Sequence, residues 1–144
     1  MIVHETLIPL LKIAGAGLIL LAILHAPIAR RLRWREETAR MSEVNAAVFH
    51  VHNLFICLVL VAMGLPCLFD PGVFFEKSRG VAWGAWSLCG FWGVRLWCQW
   101  CVYPAGLWRG KRFETGIHWF CTAVWLGLTV LFGLCGAWQA GWVL

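Results

Sequence analysis

Negative charge is what this chain has least of, and none of it lies where a buried cation would need it. The seven carboxylates (Glu5, Glu36, Glu37, Glu43, Asp70, Glu76 and Glu114) all fall at the ends of apolar segments or in the connections between them. Charged residues of both signs make up only 13% of the 144 residues, against about 25% in soluble domains. With 61% hydrophobic residues and a mean hydropathy of +0.75, this excludes the ordinary soluble globular class. The start also lacks the basic run of a signal peptide, since Glu5 is the only charge before Lys12. The first apolar run ends instead in Pro27 and an arginine cluster, a stop-transfer pattern, and is read as a retained helix. The second segment is unbroken at its middle and no inverted repeat is visible, which argues against a single-chain secondary transporter.

What is present is four long apolar segments: Leu7–Leu24, Ala46–Phe69, Val81–Val102 and Ile117–Leu144. Each has about the 20 residues that a helix needs to cross a hydrocarbon core of about 30 Å. The expected fold is all-α: one integral membrane domain over residues 1–144, built as an antiparallel four-helix transmembrane bundle. The first connection holds Arg30, Arg31, Arg33, Arg35 and Arg40, and the third holds Arg109, Lys111 and Arg112. The second holds only Lys77 and Arg79. By the positive-inside rule, connections one and three face the cytoplasm and both termini face outside. The expected location is a bacterial inner (cytoplasmic) membrane, crossed several times. The net charge of +5 is then an orientation signal and an anionic-lipid contact rather than a nucleic-acid footprint.

Punctuation agrees with four segments. Asp70-Pro71-Gly72 marks a turn after the second, and Pro27 and Pro104 are expected to end the first and third helices. Most of the 11 tryptophans read as interfacial anchors. Trp83, Trp86, Trp138 and Trp142 fall at the outer belt, and Trp97, Trp100, Trp108 and Trp119 at the inner one. Trp34, with Leu32, reads as an anchor within the arginine cluster.

Helical periodicity assigns faces. Gly15, Leu18, Ala22 and His25 share a stripe on the first segment. Ala46, His50, Asn53, Cys57 and Gly64 share one on the second, and Gly80, Gly84, Ser87, Phe91, Arg95 and Cys98 one on the third. Trp86, Cys89, Gly93, Trp97 and Trp100 lie on the opposite side of the third segment. On the fourth the stripe is His118, Cys121, Thr122, Trp125, Thr129, Phe132 and Gly136. Membrane helices pack through small and hydrogen-bonding residues, so these stripes are expected to face the interior. At about 1.5 Å per residue, Arg95 lies about 13 Å from the inner end of its segment, and His25, His50 and His118 lie in the same half. An arginine inside an apolar segment marks a site by default. Its Cα–Cβ bond tilts outward, away from the cytoplasm, which strains any escape to water. Gln99, Asn53, backbone carbonyls, water or an anionic ligand remain as partners.

Several chemistries compete for these residues. His50 and His118 are candidate axial ligands of haem b between helices two and four, with Arg95 pairing a propionate. Arg95, Gln99, Tyr103, His50 and Asn53, with His25 nearby in depth, are candidate binders of a quinone or an anionic amphiphile. Cys98-x-x-Cys101 followed by His118-x-x-Cys121 has the residue types of a four-ligand metal site, although Cys98 and Cys101 point about 60° apart on a continuous helix. Against all three stands a polar network that only fixes helix register. The seven cysteines mostly read as small buried hydrophobes. Cys67 and Cys135 fall toward the same leaflet, where a bridge is one option and two thiols the other. His52 points away from His50, His4 sits at the outer end with no assigned role, and Lys12 reaches for the outer surface.

The strings "LRWREETARM", "VNAAVFHVHNLFICLVLVAMGL" and "FWGVRLWCQWCVY" resemble a group of small uncharacterised bacterial four-helix membrane proteins over most of the chain. That resemblance implies a fold and no mechanism. A weaker, topological likeness is to the membrane-associated enzymes of eicosanoid and glutathione metabolism, which have four helices, outward termini and an arginine late in helix three. The tyrosine expected three residues after that arginine is Cys98 here. The reading that results is a membrane component, accessory or ligand-binding, with no catalytic residue assigned. The bilayer is its partner, joined by a membrane-protein partner or a second copy. Haem b or quinone binding and a lipid- or glutathione-directed transferase are the alternatives.

Overall fold

A computed structural model describes the backbone from Ile2 to Trp142 and the side chains from His4 to Trp142; the last two positions of the fourth expected segment lie outside the described residues. Five α-helices are found: α1 (Ile2–Arg31), α2 (Trp34–Thr38), α3 (Glu43–Phe69), α4 (Arg79–Cys101) and α5 (Arg112–Gln139). Short 3₁₀ turns occupy Pro71–Phe75 and Ala105–Leu107, and no strand occurs among the described residues. Three helices are long and apolar enough to cross a membrane: His4–Arg31, Glu43–Phe69 and Arg112–Gln139. Their outward faces carry large apolar side chains, such as Ile13, Ile23, Val44, Phe55, Phe120 and Leu126, a surface suited to hydrocarbon rather than water. With 23 residues, α4 is about 34 Å long, but Arg79, Arg95, Gln99 and the tryptophans and glycines between its apolar residues lower its hydropathy.

The ends of these helices follow local chemistry. Ser42 and Ser78 sit in extended conformation before α3 and α4, and their hydroxyls accept the Asn45 and Val81 amides at 3.4 and 3.1 Å, satisfying donors that a first helical turn leaves open. The helix expected to stop at Pro27 instead continues to Arg31. A proline one turn from the end removes a single backbone bond, and Arg30 and Arg31 in the last turn favour the negative helix terminus. The arginine-rich connection is not all loop either: α2 forms after Arg33, whose φ of 54° places it in the left-handed region.

The chain falls into two compact units. One spans Leu11–Pro71 and the other joins the chain up to Leu10 with Gly72 onward. In the first unit, α1 and α3 meet backbone to backbone. A Cβ on Gly15 would lie 2.6 Å from the Leu68 nitrogen and 2.7 Å from the Gly64 carbonyl oxygen, and one on Gly64 would lie 2.9 Å from the Gly15 oxygen. Further along, the Cys57 thiol reaches the Ala22 carbonyl at 3.8 Å. Leu11, Gly15 and Leu18 are buried on α1, and Leu60, Gly64 and Cys67 on α3.

In the second unit, α4 and α5 pack along their lengths. The α5 face is the expected one: His118, Trp125, Leu128, Phe132, Cys135 and Gly136 are buried. The α4 face is not. Ala85, Trp92 and Gln99 are buried there, while Gly80, Gly84, Ser87 and Phe91 of the expected stripe are exposed. The packed stripe is rotated by about one residue, or 100°, because size complementarity rather than smallness decides the contact. The Trp86 ring would lie 2.7 Å from a Cβ on Gly136, the Cys89 sulfur 3.4 Å from one on Gly133, and Thr129 3.8 Å from one on Gly93. Trp86, Cys89 and Gly93 thus belong to the packing side, and the glycines that receive bulky groups are mostly on α5. The Pro71–Phe75 turn is fastened to the end of α5: the Gln139 amide donates to the Phe74 and Glu76 carbonyls, both at 2.8 Å. Lys77 donates to the Trp138 carbonyl at 3.1 Å and lies 4.0 Å over its ring. Cys135 is a free buried thiol.

Because Gly15 and Gly64 face backbone that cannot step aside, Gly64→Leu is expected to cost about 1–3 kcal/mol by overpacking. It should lower the thermal midpoint of the detergent-solubilised protein. Gly17→Leu, where nothing lies within 4 Å of the added Cβ, should leave that midpoint within error.

Candidate functional site

The third apolar segment delivers Arg95 to a side-chain chain that runs across to α5. Trp92, Arg95 and Gln99 are three and four residues apart, so one face of α4 carries all three. Arg95 is half-buried. Its Nη1 donates to Gln99 Oε1 at 3.3 Å, and Gln99 Nε2 donates to His118 Nδ1 at 2.9 Å. Gln99 and His118 are themselves buried. The arginine has therefore turned toward the C-terminal end of its helix, against the tilt of its Cα–Cβ bond, and has taken Gln99 from among the expected partners. Its guanidinium carbon lies 5.0 Å over the Trp125 ring and 5.6 Å over that of Tyr103, positions that favour a cation. Arg33 and Arg40 pair with Glu36 and Glu37; among the described residues no carboxylate is paired with Arg95.

The order of donors fixes protonation. A guanidinium can only donate, so it requires the oxygen end of the Gln99 amide. The nitrogen end must then donate to His118, whose Nδ1 accepts and whose single ring proton sits on Nε2. The His118 ring is stacked on Trp108 at 3.9 Å and 10°. Thr115 anchors Trp108 by donating to its carbonyl at 2.6 Å, and Thr122 donates to the His118 carbonyl at 2.9 Å.

His50 lies in the other unit and is resolved there on its own terms. It is exposed on α3, turned from the packed stripe, with Nε2 3.3 Å from the Thr38 hydroxyl. That hydroxyl gives its proton to the Trp34 carbonyl at 2.8 Å, so it accepts from His50, and His50 also carries its proton on Nε2. Thr38, buried in α2, thereby ties the arginine-rich connection to α3, and Trp34 meets Phe49 edge-on at 5.2 Å. His25 and His52 show the other tautomer, donating from Nδ1 to the Leu21 and Val48 carbonyls at 2.8 Å. Asn53 is half-buried on α3.

The metal set is not assembled. Among the described residues no three His, Cys, Asp or Glu side chains are placed to hold an ion. Cys98 is half-buried while Cys101 is exposed, as expected for side chains about 60° apart on an unbroken helix, and His118 Nδ1 is already engaged by Gln99. His4, with no assigned role in the sequence, meets Phe75 edge-on at 4.4 Å.

Sequence reasoning missed Trp92 as a core residue. It stacks on Trp125 at 5.1 Å and 13°, and both are buried. Reading tryptophan as an interfacial residue hid it; the signal was its spacing from Arg95 and Gln99 and the place of Trp125 on the α5 stripe. Trp108 and Thr38 were missed because each lies in a connection. No protein family, no curated protein and no solved structure matches the chain.

Removing the amide strands both ends of the relay. Gln99→Leu is expected to destabilise by about 2 kcal/mol or more, since each buried polar group left without a partner costs about 1–3 kcal/mol. In ¹⁵N-histidine-labelled protein at neutral pH, His118 should show the Nε2–H tautomer in the wild type and lose that fixed pattern in Gln99→Leu.

Proposed function

We propose that this protein is a multi-pass component of a bacterial inner membrane, with four alternating, antiparallel spans, both termini outside, and a ligand site centred on Arg95. The observation that carries the reading is a half-buried guanidinium with no carboxylate partner, seated on Trp125 and tied to Gln99. Such a cation is costly within a bilayer unless something complements it. The fourth span is α4, whose length suffices and whose tryptophans suit the two interfaces. The role is that of an accessory or ligand-binding component, acting with a membrane-protein partner or a second copy, rather than that of an enzyme.

A redox role through haem b or quinone is the competing reading. Quinone carbonyls would suit the donors of Arg95 and Tyr103. The weaker transferase reading has no thiol-ligand residue in its support beyond Arg95 itself.

Two measurements check the proposal. A periplasm-dependent phosphatase reporter should be active when fused after Trp142 or Glu76 and inactive when fused after Arg109; an inactive fusion at Glu76 would sink the four-span topology. Protein purified in mild detergent should carry a co-purifying small amphiphile that falls at least about tenfold in Arg95→Gln, in line with loss of a charged hydrogen bond. Its reduced-minus-oxidised visible spectrum should be featureless; sharp haem bands would replace this reading with the redox one.

A further inference from the structure

Resting on that reading of Arg95, the geometry points to the chemical class of the ligand: a single-headed amphiphile whose head is an oxyanion, a carboxylate or a phosphate monoester, received by Arg95 together with the indole N–H donors of the stacked Trp92 and Trp125.

Three buried nitrogens in this unit have no hydrogen-bond partner: Trp92 Nε1, Trp125 Nε1 and His118 Nε2. Their side chains are 2%, 6% and 4% exposed, so bulk water does not reach them freely. All three are donors. Indole nitrogens cannot accept, and the Arg95–Gln99–His118 relay leaves the imidazole proton on Nε2. These groups lie along one path of side-chain contacts. Trp92 stacks on Trp125, Arg95 lies over Trp125, and Gln99 joins Arg95 to His118. An unsatisfied buried donor is costly, and two indole N–H groups on the stacked rings beside an arginine ask for acceptor oxygens.

Acceptor oxygens alone would admit a quinone. Charge decides between the two. With no carboxylate near, the Arg95 guanidinium is an uncompensated positive charge, and a low-dielectric setting magnifies its preference for an anion. An oxyanion also takes two parallel N–H bonds from one guanidinium, which a single carbonyl cannot. The tail has a surface ready for it. Phe91, one turn outward on the Arg95 side of α4, and Val94 beside it are exposed at 47% and 62%, so an acyl chain can run along α4 while its head turns in.

The test uses the full chain in phosphatidylcholine nanodiscs, with tryptophan quenching by dibromostearate, by its methyl ester and by dibrominated phosphatidic acid. The acids should add a saturable quenching component to the shallow, non-saturating background that the ester gives. Arg95→Gln should weaken that component at least about tenfold, Arg95→Lys should retain most of it, and Trp92→Phe should weaken it a few-fold. Each variant must elute as one homogeneous species with wild-type helicity. Displacement by millimolar inorganic phosphate or acetate would assign the oxyanion to a water-soluble source, and no displacement would assign it to a lipid. If acid and ester saturate alike and both depend on Arg95, the ligand site stands and the oxyanion inference is overturned. If no saturable component depends on Arg95, both fall together.

Discussion

The Gln99 amide is the group on which the polar interior of the α4–α5 unit depends. It has one accepting end and one donating end, and it sits between a residue that can only donate and one that can do either. Arginine claims the oxygen, so histidine must receive the nitrogen. One buried amide therefore sets the direction of a guanidinium and which nitrogen of an imidazole accepts. No carboxylate could do this: an acid between the two would neutralise Arg95 and favour an imidazolium at His118. The absence of acidic residues from the apolar segments is thus a condition of the arrangement, since it leaves one positive charge without a counterion.

Around this relay, packing is by fitting bulk into absence of bulk. Trp86 lies against Gly136 and Cys89 against Gly133, while Trp92 and Trp125 share a stacked contact. The α1–α3 pair reaches close approach by another means, two glycines facing each other's backbone. Within a bilayer there is no hydrophobic drive to bring helices together, so van der Waals contact of this kind has to supply the association. The tryptophans accordingly divide by function. Trp83 and Trp142, at 75% and 73% exposed, are free to sit at interfaces, whereas Trp92 and Trp125 are core. Their indole N–H groups then become liabilities that a ligand head can relieve.

The class of protein was legible in the sequence. Segment length, hydropathy and the scarcity of charge follow from the thickness and polarity of a bilayer, and they read out as long helices wherever they occur. The stripes on α1 and α5 were also legible, because Gly15, Leu18 and His118 through Gly136 repeat at helical spacing. The α4 stripe was misread by one residue. A rule that small residues face neighbours has no access to which helix supplies the glycine and which the ring. Pro27 was given too much weight as a terminator, since one missing N–H near a helix end is a local loss that the following turn survives.

The sequence by itself determined that Arg95 would lie in an apolar segment carrying no acid, because that depends only on which residues lie within a helix length of it. Only the tertiary structure decided what answered it. The choice of Gln99, the proton on His118 Nε2, the stacking of Trp108 and the turning of His50 toward Thr38 all depend on distances between residues that are remote in sequence. Hydrogen bonds and ring contacts act over a few ångströms and have direction, and no spacing along a single helix specifies either for a partner on another.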